Sequence, residues 1–176
     1  MSNFRQLLGC LSLGVLTPFA CVAEKGVWLE AEGFRTLGGW VIDQQSTAQM
    51  GSAYIMAHGM GLPVEDAQTT CFIPRTGDWT VWVRTRDWTA PWKRGAPAGR
   101  FQLLVNGHPL PEVLGTHGIA WDWQKAGAIA LEKGKAKIAL HDLTGFNGRC
   151  DAVYLTDNAA LTPENDAKRL AEFRRQ

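Results

Sequence analysis

A period of two runs through most of this chain, and it constrains the fold more than any other feature. In "DWTVWVRTR", Trp79, Val81 and Val83 alternate with Thr80, Trp82, Arg84 and Arg86. Successive side chains of an extended strand point to opposite faces, so one face is apolar and the other mixed. "RFQLLVNG" sets Phe101, Leu103 and Val105 against Arg100, Gln102 and Leu104, and closes on Asn106-Gly107, a hairpin turn signal. "KAKIALHD" and "CDAVYLTD" repeat the pattern, with Ile138 and Leu140, then Val153 and Leu155, expected to point inward. "VWLEAEGF", "GWVIDQ", "SAYIMA", "QTTCFIP" and "GAIAL" read as further strands, and "PRTGD", "NGHPLP", "EKGK" and "TGFNG" as turns. About nine short strands with no helical period between them argue for an all-β fold, an antiparallel β-sandwich of jelly-roll type.

The strands occupy residues 24–157, one domain, and each end of the chain differs from them. At the start, "MSNFRQ" carries one positive charge, "LLGCLSLGVL" is apolar and "TPFACVA" ends in small residues. That order predicts a signal peptide over 1–23, cleaved after Ala23, and a periplasmic or secreted protein. A lipoprotein anchor is the alternative, though neither Cys10 nor Cys21 sits in a convincing lipoprotein box, and the apolar run is short for a membrane span. At the other end, residues 158–176 predict a short helical tail or linker. Thr162 would cap it, Pro163 would open the first turn, and Ala167, Leu170 and Ala171 would form a thin apolar stripe.

The chain carries a formal charge of +1, which falls to neutral once Arg5 leaves with the signal peptide. Nucleic acid and anionic membrane are therefore not the expected partners. Cys71 and Cys150 remain after cleavage, and an oxidising compartment permits a disulfide between them. Two buried free thiols on separate strands are the alternative.

The order of motifs is itself informative. Glu30-Ala31-Glu32 on the first strand precedes "MGSAYI" and "TTCFIPRTGDWTVWVR", then "FQLLVNG", "WDWQKAGAIALEKGKAKIAL" and "GRCDAVYL". This series, from Val27 to Asp157, resembles the galactose-binding-like β-sandwiches, above all carbohydrate-binding modules of families 6 and 35. "GGWVIDQQ", "MGSAYIMAHGMGLPV", "VRTRDWTAPW" and "LHDLTGFNGRCDA" also look like the module that precedes the flavin domain in secreted bacterial FAD-dependent oxidoreductases, some labelled xanthan lyases. No G-x-G-x-x-G lies between a strand and a helix here, since "HGMGLP" supplies two glycines and then a proline. No FAD is therefore expected in this chain: the module acts alone, or is a fragment of a larger enzyme, or has a flavoprotein or polysaccharide-degrading enzyme as a separate catalytic partner.

The resemblance implies a structural calcium, held by a carboxylate pair on the first strand and an aspartate opening the last. Here these are Glu30, Glu32 and Asp151. Glu30 and Glu32, two apart on a strand, would share a face, and hard oxygen donors suit Ca²⁺. Solvated or arginine-paired carboxylates are the competing account.

Eight tryptophans against two tyrosines call for an explanation by position. Trp79 belongs to the core by its alternation, and Trp28 and Trp40 read as packing. Trp88, Trp92, Trp121 and Trp123 lie in or beside loops, with Arg84 and Arg86 leading into the first pair. Indole faces stack on the C–H faces of sugars, and arginine forks hold hydroxyls or carboxylates. In "HDLTGFNGRCD", Asp142, Asn147 and Arg149, with His141, would line the same cleft, unless Asp142 pairs with Arg149 to brace the loop. Internal packing or protein contact is the alternative for all four tryptophans.

Catalytic signals are weak. Glycoside hydrolysis needs two carboxylates roughly 5–10 Å apart, and no spacing singles out a pair among Glu65, Asp66, Asp87 and Asp142. His58, His108, His117 and His141 have no compact metal-ligand spacing, and Gly-x-Ser-x-Gly is absent. Together with the resemblance, these signals predict an exported, non-catalytic carbohydrate-binding module. Its ligand would be a glycan, and an acidic one fits Arg84, Arg86, Lys93, Arg94 and Arg149. A protein-interaction module docking onto a catalytic partner is the alternative, and an enzyme in its own right is the third reading.

Overall fold

A computed structural model describes residues 26–92, 97–166 and 170–171. The chain opens with β1 (Val27–Glu30) and a single 3-10 turn (Ala31–Gly33), followed by β2 (Trp40–Asp43), the one-turn helix α1 (Thr47–Met50) and β3 (Tyr54–His58). The long strands β4 (Ala67–Ile73) and β5 (Gly77–Thr85) come next, then β6 (Phe101–Val105) and β7 (His108–Pro109). β8 (Asp122–Leu131), β9 (Gly134–Asp142) and β10 (Phe146–Thr156) complete it. Six strands form one sheet in the order β2-β3-β10-β5-β8, with β1 also paired to β10, and β4-β9-β6-β7 form the other. Every pairing is antiparallel. The expected two-sheet sandwich is the fold.

Alternation places the core where the sequence predicts. Trp79, Val81 and Val83 of β5, Val153 and Leu155 of β10, Phe101, Leu103 and Val105 of β6, and Ile138 and Leu140 of β9 are buried between the sheets. Trp40 meets Phe101 edge to face across this layer, with ring centres 5.4 Å apart.

Three local readings change. β1 ends at Glu30, and Glu32 lies in the 3-10 turn, so the two carboxylates do not share a strand face. The turn takes Ala31 and Phe34 into the core, closed by the Phe34 N–H on the Ala31 carbonyl. Residues 161–166 are irregular rather than helical, and Leu170 and Ala171 are helical. The predicted start at Thr162 gives way because this segment is spent on the sheet beside it. Trp123 Nε1 donates to the Glu164 carbonyl at 3.1 Å, and Asn165 Nδ2 donates to the Trp121 carbonyl. Finally, Cys71 and Cys150 are free thiols, on β4 and β10 of opposite sheets, so the expected disulfide is not formed. Burial pushes the Cys150 thiol well up, and Asp151, Glu32 and Glu30 add to it.

The outer face of the six-stranded sheet carries a second apolar layer. Trp123, Ala152 and Tyr154 are buried there with Leu170, and Trp28, Trp82 and Leu161 pack around them. The tail thus roofs an aromatic face that would otherwise meet water. No helix among the described residues is long and apolar enough to cross a membrane. The signal-peptide reading for 1–23, and Lys93 and Arg94, lie outside the described residues.

Candidate functional site

Three loops gather at one end of the sandwich, and backbone chemistry fixes them before any ligand arrives. Asp87, buried two positions past the end of β5, accepts from the Thr89 N–H and hydroxyl at 2.9 and 2.7 Å. Its own N–H donates to the Gly118 carbonyl, and the Trp92 N–H closes a turn on the Thr89 carbonyl. Asp142, buried at the end of β9, accepts from the Val64, Thr144 and Gly145 N–H groups at 3.0, 3.1 and 2.8 Å. It therefore braces two loops through their backbone. Its predicted partner Arg149 plays no part in that, and a carboxylate so placed is scaffolding rather than ligand surface. The N–H groups of Gly59 and Gly61 both donate to the Gly145 carbonyl. Gly145 has φ +62°, and a Cβ there would fall 1.8 Å from the Leu62 carbonyl oxygen, so a side chain would push these loops apart.

On this frame stands an aromatic platform. Trp88 and Phe146 are stacked, with centres 5.6 Å apart and planes 22° apart, and Trp92 meets Trp88 edge to face at 6.2 Å. Trp88 Nε1 donates to the Phe146 carbonyl at 3.0 Å, and the Arg149 guanidinium lies 5.0 Å from the Trp88 ring centre. Trp92 is 74% exposed and Phe146 44%, whereas Trp88 is half-buried. Met60 and Leu62, at 86% and 74% exposure, rise from the adjoining β3–β4 loop. A polar rim borders the rings. Arg149 Nη1 donates to the Asn147 carbonyl, and His58 Nδ1 lies 3.1 Å from Asn147 Oδ1.

Arg86 lies one position past β5, its guanidinium 5.8 Å from the Trp121 ring centre. Its Nε is buried with no hydrogen-bond partner among the described residues. Burial lowers its pKa, the Arg149 charge lowers it further, and Tyr54 and Asp87 oppose both. Arg86 thus stands over the buried Trp121, near enough to Arg149 for the two charges to oppose one another.

Other predicted residues belong elsewhere. Arg84 is buried and bonds Asp151 Oδ2 at 3.0 Å, Asn165 Oδ1 at 2.8 Å and Met50 Sδ. It ties β5, β10, α1 and the tail together and does not reach the platform. Trp121 is buried against Tyr54, with ring centres 4.8 Å apart, beside Met50. Trp123 is buried against Trp28 at 5.4 Å and Tyr154 at 6.4 Å. These two indoles lie in separate packing clusters rather than side by side in one cleft. Phe146, Met60 and Leu62 join the site without having been singled out from sequence, and His58, weighed there only as a metal ligand, joins them. A phenylalanine between glycines in "TGFNG" was the available signal, since a turn has no structural need for an aromatic ring.

For the expected calcium, the donors suit the ion in kind. Ser52 Oγ donates to Asp151 Oδ1, Glu30 Oε1 accepts from Trp28 Nε1, and Glu30, Glu32 and Asp151 all act on the Cys150 thiol. Among the described residues, however, no three His, Cys, Asp or Glu side chains stand together as a ready metal-binding group. Asp151 is instead paired with the Arg84 guanidinium at 3.0 Å, as the arginine-paired alternative has it.

No protein-family model and no curated protein matches the sequence. Solved structures do. A GH26-CBM35 β-(1,4)-mannanase from Podospora anserina aligns over 80% of this chain and 29% of its own, at 18% identity and a TM-score of 0.61. A family 35 carbohydrate-binding module from Clostridium thermocellum aligns over 74% of this chain and 98% of its own, at 20% identity and a TM-score of 0.56. A module of the same family from Paenibacillus barcinonensis aligns over 76% and 100%, at 17% identity and a TM-score of 0.56. The chain has the β-sandwich fold of the family 35 carbohydrate-binding modules.

Proposed function

We propose that this chain is an exported, non-catalytic carbohydrate-binding module whose platform of Trp88, Trp92 and Phe146 holds a glycan. The observation that carries this reading is the exposed Trp92 beside a stacked Trp88–Phe146 pair with a guanidinium over it. Flat apolar faces cover the C–H face of a pyranose, while Asn147, His58 and Arg149 reach its hydroxyls. Arg86 and Arg149 make a carboxylate-bearing glycan the preferred ligand, because a planar carboxylate can accept from both forks. The fold shared with family 35 modules supports the reading. Calorimetric titration with neutral and uronate-containing oligosaccharides tests it: saturable binding that favours the uronates is expected, and no binding across the panel would refute it.

The exposure of Met60 and Leu62 favours a second reading, in which this end docks onto a catalytic protein, a flavin-dependent oxidoreductase or a polysaccharide-degrading enzyme. In that case Met60→Ser with Leu62→Ser breaks a co-purifying complex and leaves glycan titrations unchanged.

Calcium at Glu30, Glu32 and Asp151 is the accompanying proposal. The hard oxygen donors of these residues support it. The ion would supply a charge that joins the first turn to the last strand.

A further inference from the structure

None of the platform's residues lines the cavity of about 200 Å³ on the four-stranded sheet, which is bounded by Arg35, Thr36, Gln68, Thr69, Thr70 and Lys137. Its walls are held by the backbone. The Thr36 N–H donates to the Gln68 carbonyl at 3.1 Å and the Gln68 N–H returns to the Thr36 carbonyl at 2.7 Å, pinning Arg35-Thr36 along the β4 edge. Thr70 and Lys137 are register partners of β4 and β9, and the neighbours Ala136 and Ile138 face the core, so Lys137 points outward.

Two cations thus border one small concavity, and among the described residues neither Arg35 nor Lys137 has an ion-pair partner. Gln68 and Thr70 lie on the same outward face of β4 as Lys137 does on β9. A guanidinium fork, an ammonium, the Thr70 hydroxyl and the Gln68 amide offer donors to a shared anion, while Thr69 faces the core. The volume lies below the roughly 300–1,000 Å³ of ordinary small-molecule pockets, so it suits one small charged group rather than a sugar chain. We infer that this cavity is an oxyanion site, separate from the platform, that takes a carboxylate or sulfate group, either as a free ion or carried on a polysaccharide.

Amide chemical shifts of the mature protein test this in titrations with sodium sulfate, sodium acetate, an oligogalacturonide and a neutral oligosaccharide. Saturable shifts at Thr36, Gln68, Thr70 and Lys137 are expected with the anions and none with the neutral sugar. Saturation by the simple ions identifies a free-ion site. Saturation by the oligogalacturonide, where the simple ions leave these amides unmoved, identifies a polymer-borne carboxylate. Arg35→Ala or Lys137→Ala should each weaken the effect about tenfold, and Trp92→Ala should leave it unchanged. Shifts that rise without saturating, or that survive both cavity variants, would overturn the inference whatever the platform binds.

Discussion

The Arg149 guanidinium lies 5.0 Å from the centre of the Trp88 ring and donates through Nη1 to the Asn147 carbonyl. The stack holds a planar cation at the rim of an exposed aromatic surface with its orientation already chosen. Lysine would keep the charge and lose both the plane and the fork. Arg149→Lys is therefore expected to fold normally and to weaken binding of uronate-containing oligosaccharides more than of neutral ones, as read by calorimetric titration.

Arg84 and Asp151 form a buried ion pair at 3.0 Å, further tied to Asn165 and Ser52. Removing one partner strands the other charge away from water. Arg84→Met or Asp151→Asn should each cost about 3–5 kcal/mol in denaturant unfolding. The double variant should cost less than the two losses added, because neither charge is then left alone.

Trp121 and Trp123 are packing residues on this account. Trp123→Ala should cost roughly 3–5 kcal/mol, and Leu170→Ala, which opens the roof over the same rings, roughly 2–5 kcal/mol. Thermal unfolding reads both. An altered glycan affinity without lost stability would instead return Trp121 or Trp123 to the ligand surface.

Cys150 gives the protein an alkaline weakness. Its thiol is pushed well above its ordinary value of 9.0 by burial, then by Asp151, Glu32 and Glu30. The folded state therefore keeps its proton where the unfolded chain has lost it. The associated stability is fully present below pH 9.0 and declines as the pH rises above it. The loss is at most about 1.4 kcal/mol per pH unit, and Cys150→Ala should remove that part of the slope. Thiol titration of the denatured, unreduced mature protein should find both Cys71 and Cys150 free.

If calcium joins Glu30, Glu32 and Asp151, chelation should lower the melting temperature and calcium should restore it, since a ligand of the native state stabilises it by mass action. Glu32→Gln should abolish the difference. Equal midpoints with and without chelator, and no calcium by elemental analysis, would dismiss the ion.

The sandwich was legible because strand alternation depends on local side chains. Trp79, Val81, Phe101, Leu103, Ile138 and Val153 all lie where their parity puts them. Trp121 and Trp123 were misread because what covers them is distant in sequence. Tyr54 and Met50 close over one, and Trp28, Tyr154 and Leu170 over the other. A bulge adds to this: Val81 opposes Gly127 while Trp82 opposes Lys125, so β8 holds one extra residue and its parity reverses midway. Glu30 and Glu32 separated because a 3-10 turn replaces the end of the strand. In the site, the "DWTAPW" loop was visible as tryptophans in a turn. Phe146 was not, because its stacking partner comes from another loop.

The central claim is that exposed rings on the β5–β6 loop bind sugar and do not serve the core. Trp92, at 74% exposure, isolates that claim, because its truncation removes ligand surface and little packing. The decisive measurement is the affinity of Trp92→Ala for an oligosaccharide that the parent protein binds, with its unfolding free energy measured alongside. Stability should stay within about 0.5 kcal/mol of the parent. Binding should weaken by about 0.5–1.5 kcal/mol, roughly two- to tenfold. Unchanged affinity with stability intact would contradict the account, and so would a large loss of stability with affinity preserved.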